Sequence, residues 1–179
     1  MGSPGIEAIA VCFLFSFANP AHERRVAEIV KEMMPEAFLS LSCEVLPEIR
    51  EYERASTTVM NAYLAPVVGE YLRRMQAELA RRAFRGRFYV MQSSGGMLAA
   101  DETRRHAVRT LVSGPAAGVT GAIHFAARAG FSNIITLDMG GTSTDVSLVT
   151  ESVPTLTTGK LIDRMPVLAP MLDITAIGA

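Results

Sequence analysis

An α/β fold is what this sequence predicts, and three observations carry the prediction. β-Branched and aromatic runs alternate with longer segments of helical period. The opening reads strand–helix–strand, an order that permits parallel strands. The composition, 49% hydrophobic and 20% charged, suits a well-buried core and argues against disorder. At 179 residues the chain can hold one ordinary domain or two small ones.

A formal net charge of −1 gives no global electrostatic case for nucleic acid or for an anionic membrane. The run "IAVCFLFSF" is too short to span a bilayer and lacks the basic start and cleavage pattern of a signal peptide. It reads as a strand buried on both faces. Cys12 and Cys43 lie far apart inside apolar segments, which is neither a disulfide framework nor a zinc spacing. Both read as small core residues of a protein in the reducing cytoplasm. The leading "MGSPG" reads as an appended remnant.

Taken in order, Ile9 to Phe17 is the first strand. A helix follows over "PAHERRVAEIVKEMM", with Asn19 as N-cap, Pro20 in the first turn, Pro35 as the stop, and Val26, Ile29, Val30 and Met33 as its apolar stripe. "AFLSLS" is the second strand. From about Pro47 to Arg82 runs a long helix. Ala55, Val59, Tyr63, Val67, Tyr71, Met75 and Leu79 form one apolar row, and Met60, Leu64, Val68 and Leu72 a second. Pro66 should kink or split it. Its basic end, "RRMQAELARRAFRGR", complements the helix dipole; no aromatic residues interleave it as a nucleic-acid surface would need.

"RFYVMQ" is a strand, "SSGG" a turn and "AADETRRHAV" a short helix. "SGPAAGVTGAIHFAARAG" is a helix between Gly114-Pro115 and Gly130, and its small inner residues allow close approach to a sheet or ligand. "NIITLD" and "TDVSLV" are strands, and "VPTLTTG" and the tail "MPVLAPMLDITAIGA" supply further strand candidates.

The chemistry concentrates between those two strands, in "IITLDMGGTSTDVSLV". Gly140 and Gly141 offer backbone N–H groups and unobstructed approach, as a phosphate requires. Thr142, Ser143 and Thr144 add neutral donors. Asp138, ending a buried strand, needs a divalent cation between itself and a phosphate; Mg²⁺ takes oxygen ligands and keeps several waters. Asp145 would bind a second water of that ion or fix the hydroxyls. The plainer alternative is an ordinary hairpin whose Gly and Asp residues serve turn geometry. The spacing is not that of a P-loop, and no helix follows the glycines as in a dinucleotide fingerprint.

"DMGGTSTDVSLV" resembles the second phosphate-binding hairpin of the actin/hexokinase/Hsp70-like ATPases, in the form typical of the hydantoinase A and 5-oxoprolinase family. "CFLFSFANPAHERR", "EIREYERASTTVMNAYL", "MQSSGGML" and "SGPAAGVTGA" match the same family in the same order. The resemblance implies an RNase H-like, actin-type ATPase fold of two lobes with ATP and Mg²⁺ between them. It implies ATP-driven opening of a cyclic amide, hydantoin or 5-oxoproline, through a phosphorylated lactam. A second hydantoinase/oxoprolinase subunit is an implied partner. A subunit of an ATP-dependent ketone carboxylase and a non-catalytic nucleotide-binding module are the alternatives.

Carried over residue by residue, Asp138 (catalytic and metal-binding), Gly140, Gly141, Thr142, Ser143, Thr144 and Asp145 would hold phosphate and metal. The turn from Gln92 through Ser93, Ser94, Gly95 and Gly96 would be a second lining of the cleft, or a solvated turn. The stripe Arg54, Ser56, Thr57, Thr58 and Asn61 would face the cleft, or solvent and an interlobe contact. His124 reads as packed rather than liganding, and His22 and His106 as surface residues. The family's first Asp-Gly-Gly-Thr hairpin is not found upstream of Ile9, and a glycine-rich continuation is expected beyond "DITAIGA". The expectation is an internal piece: the end of the first lobe over 6–42, a crossing helical segment over 43–86, and the first part of the second lobe over 87–179. Such a piece should bind ATP weakly and turn over nothing alone.

Overall fold

The computed structural model describes residues 5–178; Met1–Pro4 of the leading segment and Ala179 lie outside the described residues. The elements begin with β1 (Ala8–Val11), α1 (Ala21–Met33), β2 (Phe38–Leu41), the single turn α2 (Ser42–Val45) and α3 (Glu51–Arg81). Then come β3 (Tyr89–Met91), β4 (Met97–Ala99), α4 (Ala100–Arg105), a 3-10 turn at Ala107–Thr110, α5 (Ser113–Arg128), β5 (Ile134–Met139) and β6 (Ser143–Thr150). Short strands complete the order: β7 (Val153–Pro154), β8 (Leu156–Thr157), β9 (Lys160–Ile162), β10 (Met165–Val167), β11 (Met171–Leu172) and β12 (Ile174–Gly178). Two compact units result. One takes the chain up to Phe88 with Ala99–Val108 and Lys160–Ala169; the other takes Tyr89–Leu98, Arg109–Gly159 and the chain from Pro170 on.

In the first unit β1 and β2 pair in parallel, from Ala8 opposite Phe38 to Val11 opposite Leu41. Ile9, Val11, Leu39 and Leu41 pack on Val26 and Ala27 of α1. The other face, with the Phe38 ring and the Ser40 hydroxyl, meets α3 at Gly69 and Asn61. The strand predicted to reach Phe17 stops at Val11. The reason is a pair of buried charges that seize one residue of the following turn. Phe13 N–H donates to Glu23 Oε1 (2.8 Å), and Arg54 Nη2 donates to Phe13 O (2.8 Å). Glu23 also accepts from Ser42 Oγ (2.6 Å) and Cys43 N–H (2.8 Å). Burial alone would raise the Glu23 pKa, but the donors from Ser42, Cys43 and Phe13 outweigh it and hold the carboxyl below its usual range. Burial, then the neighbouring Glu23 carboxylate, pushes the Cys43 thiol up to about 12, so it is inert at neutral pH.

That capture also sets the rotation of α1. Glu23 and Ala27 are its buried positions, while Ile29 and Met33 of the predicted stripe are exposed. Pro20, not the predicted Asn19, stands at the N-cap position, and Asn19 Oδ1 accepts the Ala21 amide (3.1 Å) from one residue before the cap.

The long helix forms as predicted, but its buried face is a different one. α3 runs through Pro66 without interruption. Arg54, Ser56, Thr57, Thr58 and Asn61, read as a cleft-facing or solvent-facing stripe, are all buried, and so are Ala62, Ala65, Gly69 and Leu72. Val59, Tyr63, Val67 and Tyr71 of the predicted apolar row are exposed. Four of the polar stripe's five residues, Arg54, Thr57, Thr58 and Asn61, tie backbone, whereas Ser56 Oγ is buried without a hydrogen-bond partner. Arg54 Nη1 donates to Glu48 O (2.7 Å), Thr57 Oγ1 accepts Leu168 N–H (2.9 Å), and Asn61 bridges β2, α4 and the 3-10 turn. At the basic end, Glu70 pairs with Arg73 and Arg74, and Glu78 with Arg81 and Arg82. Those cations are compensated along their own helix; the two arginines hold Glu70 down to about 2.

In the second unit β12, β6 and β5 form an antiparallel sheet, and β7 pairs with the end of β6. One sheet face carries Ile134, Val149 and Ile174, which pack with Leu172 against Ala116, Val119 and Ile123 of α5. α5 ends in paired bonds, Gly130 N–H to Ala127 O (3.1 Å) and Phe131 N–H to Ala126 O (2.9 Å), the helix stop that Gly130 predicts.

Candidate functional site

β5 ends at Met139 and β6 begins at Ser143, so the glycines form the tip of a hairpin, as the sequence predicts. Gly140 N–H donates to Ser143 O (2.9 Å) to close it. In this register Asp138 stands directly opposite Asp145. Directly opposed residues share a face, so both carboxylates point to the side covered by α5. There they line a cavity of about 460 Å³ together with Pro115, Gly118 and Ala122. A Cβ built on Gly118 would stand 3.9 Å from Asp138 Oδ2. The small residues of α5 therefore leave open the space in front of the carboxylates.

Two like charges opposed across strands repel, and neither has an ion pair among the described residues. A cation between them would remove that cost. Two carboxylates so placed could hold a divalent cation; Mg²⁺, for one, is commonly held by one or two carboxylates and takes its remaining ligands from water and phosphate. No larger cluster of metal-ligating side chains occurs among the described residues. The tip fits a phosphate for a separate reason. Neither Gly140 nor Gly141 has a left-handed φ, and a Cβ on Gly141 would meet nothing within 4 Å. Turn geometry and packing thus leave these glycines unexplained, which weakens the ordinary-hairpin reading. What they provide is an unscreened backbone.

Not every predicted residue joins the carboxylates. Thr144 alternates to the opposite sheet face, across from Met139 and Ile177, with its Oγ1 buried and unpaired. Asp138 does not end a strand buried on both sides, because Ile135, Leu137 and Met139 lie exposed on that same outer face of the edge strand β5. The turn holding Ser94, Gly95 and Gly96 is stitched elsewhere in this unit. Ser93, fully buried, donates to Arg109 O through N–H (2.7 Å) and Oγ (2.8 Å), and its carbonyl accepts Leu172 N–H (2.8 Å). Gly95 has φ +82°, and its Cβ would stand 3.0 Å from Thr120 Oγ1. These residues brace α5 from a side away from the cavity lining. His124 is exposed and packs edge-on against Phe125.

The family model described as hydantoinase/oxoprolinase matches residues 54–179, and that of the hydantoinase/oxoprolinase N-terminal region matches residues 2–34. The chain belongs to the hydantoinase/oxoprolinase family. This family member is 36% identical to the caprolactamase subunit alpha of Pseudomonas jessenii, over 97% of its own length and 25% of the relative's. It is 37% identical to the 5-oxoprolinase of Saccharomyces cerevisiae, over 98% of its length and 13% of the relative's. Its structure matches that of the P. jessenii ATP-dependent caprolactamase with a TM-score of 0.85 at 36% identity, covering 97% of this chain and 25% of that one. It matches nucleotide-free acetone carboxylase with a TM-score of 0.82 at 30% identity, with the same coverage. The α/β fold is thus shared with ATP-dependent enzymes, and the chain spans about a quarter of the length of the first curated relatives it matches.

Glu23 and the buried role of Arg54 are what sequence reading missed. Glu23 sits in "AHERR", whose charges look solvated; the one signal was its spacing of four from Ala27, on the face that is buried.

Proposed function

We propose that the chain is the part of an ATP-dependent cyclic-amide hydrolase, acting on a lactam such as hydantoin or 5-oxoproline, that carries one phosphate- and metal-binding hairpin. The observation that supports it is the opposition of Asp138 and Asp145 on the face turned to Gly118, beside a glycine tip that the fold itself does not require. ATP would supply a phosphoryl group that converts the amide oxygen, a poor leaving group, into a good one. Asp138 and Asp145 would hold Mg²⁺. Gly140, Gly141, Thr142 and Ser143 would turn amides and hydroxyls toward the phosphate oxygens. α5 would wall one side of the cavity that the two carboxylates line.

The fold reading is an RNase H-like, actin-type ATPase, with the first unit from the end of one lobe and the crossing helix, and the second from the start of the other. ATP-dependent relatives and the matching caprolactamase structure support it. Action as one subunit of several is supported by relatives named as subunits, and a cytoplasmic setting by two free cysteines. A ketone carboxylase subunit is the second reading, favoured by the acetone carboxylase match. In a polypeptide of the relatives' length, ATP hydrolysis should rise with a lactam and not with a ketone plus bicarbonate. The reverse dependence would install the second reading, and dependence on neither would end both.

A further inference from the structure

The first unit holds a cavity of its own, of about 570 Å³, between α1 and the outer edge of β2. All its lining residues belong to that unit, so its ligand is independent of the nucleotide reading. One wall is a single face of α1, where Arg24, Ala27, Glu28 and Lys31 recur at three- and four-residue spacing. The other wall is β2. Phe38 N–H donates to Glu7 O (2.9 Å), so Phe38 and Ser40 turn their backbone groups to β1. Leu39 between them turns its N–H and C=O outward along the cavity, and among the described residues no strand takes them up. Pro35 and Ala37 stand at one end of β2 and Glu44 and Val45 at the other. β2 has four residues, which makes the groove about 13 Å long, a size for a small molecule.

The lining is apolar beneath and charged at the rim. Ala27, Leu41 and Val45 are buried, and Val30 lies beside them. Arg24, Lys31 and Arg105 face Glu28 and Glu44, which leaves one positive charge in excess. Glu28 pairs with Arg25 (2.6 Å) and Arg105 with Glu102 (3.6 Å), and both of those partners lie outside the lining. What remains, Arg24 and Lys31 against Glu44, again leaves one positive charge. None of these three has an ion pair among the described residues. A single negative charge balances such a rim, whereas a polyanion would meet Glu28 and Glu44.

We propose that this groove binds a small organic monoanion, a carboxylate carried on a short apolar chain. The chain lies on Ala27, Val30 and Val45. The carboxylate accepts the outward Leu39 N–H and is held in the field of Arg24 and Lys31, a charge-assisted contact on a bare strand edge. An ammonium on the same chain is repelled by the rim, and an inorganic anion has nothing to set against the floor.

Hexanoate titrated into the 179-residue chain, with amide NMR shifts read residue by residue, tests it. Saturable shifts should appear at Leu39 and along Arg24 to Lys31, with a Kd of about 1–10 mM, the range open to so small a ligand. Hexylammonium and inorganic phosphate should leave those amides in place over the same range. Arg24→Glu combined with Lys31→Glu should weaken hexanoate at least about tenfold at an unchanged melting temperature, since both side chains are exposed. Arg85→Glu combined with Arg128→Glu alters net charge equally outside the lining and should leave hexanoate binding as it was. Hexylammonium binding as tightly as hexanoate would reduce the groove to an apolar surface and overturn the proposal. Phosphate binding as tightly would overturn the assignment to a carboxylate on an apolar chain. Hexanoate shifts that survive the Arg24 and Lys31 reversals, or that fail to saturate by about 50 mM, would overturn it as well.

Discussion

Replacing Asn61 by alanine should unfold the first unit far more readily than removing one surface amide would. Asn61 is 1% exposed. Its Nδ2 donates to Ser40 Oγ (2.9 Å) and to Arg105 O (2.9 Å), and its Oδ1 accepts Val108 N–H (3.0 Å). Three hydrogen bonds at about 1 kcal/mol each give a first figure near 3 kcal/mol. Ser40 can rotate its hydroxyl and Arg105 O can reach water, but Val108 N–H is buried, and an orphaned donor adds about 1–2 kcal/mol. The expected loss is therefore about 3–5 kcal/mol. With a urea slope of about 1–3 kcal/mol/M, the midpoint should fall by more than about 1 M. Asn61→Asp should also be destabilising, since it keeps the acceptor and forfeits both donors. A loss under about 1 kcal/mol would refute the view that the stripe is a structural knot. Lost nucleotide affinity at unchanged stability would return it to the lining of a ligand site.

Glu23→Gln should cost about 1–3 kcal/mol at pH 7, because an amide replaces a carboxylate that accepts several buried donors. The folded pKa of Glu23 lies below its unfolded value, so its contribution is present above about pH 4.5 and fades as pH falls through the folded value. Urea midpoints of the wild type should therefore decline in acid more steeply than those of the variant; parallel declines would contradict this. Asp138→Asn should stabilise the metal-free chain, by a few tenths to about 1 kcal/mol at low salt, by removing like-charge repulsion with Asp145. Melting in EDTA would show it, and a destabilised variant would mean that the pair is held by something other than a cation. Gly95→Ala should cost about 1–2 kcal/mol, for its positive φ and its crowding against Thr120, whereas Gly141→Ala should stay within about 0.5 kcal/mol. Equal melting temperatures for these two variants would refute the distinction.

The hairpin was legible because its signal is local: a strand, two glycines, three hydroxyls and a second strand occupy one short stretch. The parallel β1–β2 pair was legible from the helix between them. Which face of a helix is buried was not. α3 has apolar residues on the face it exposes and hydroxyls on the face it buries, because Thr57 and Asn61 find backbone partners 44 to 111 residues away. No periodicity encodes such partners. The end of β1 was missed likewise, since Phe13 is turned aside by Glu23 and Arg54, which the sequence places 10 and 41 residues further on. Thr144 was grouped with its neighbours by adjacency, while strand alternation sends it to the other face.

The most direct measurement is an electron paramagnetic resonance titration of Mn²⁺ with ATP into the wild type, Asp138→Asn and Asp145→Asn. Nucleotide-dependent Mn²⁺ binding in the millimolar range should appear in the wild type and vanish in both variants while each remains folded. Binding that persists unchanged in both variants would contradict a metal site on the opposed carboxylates.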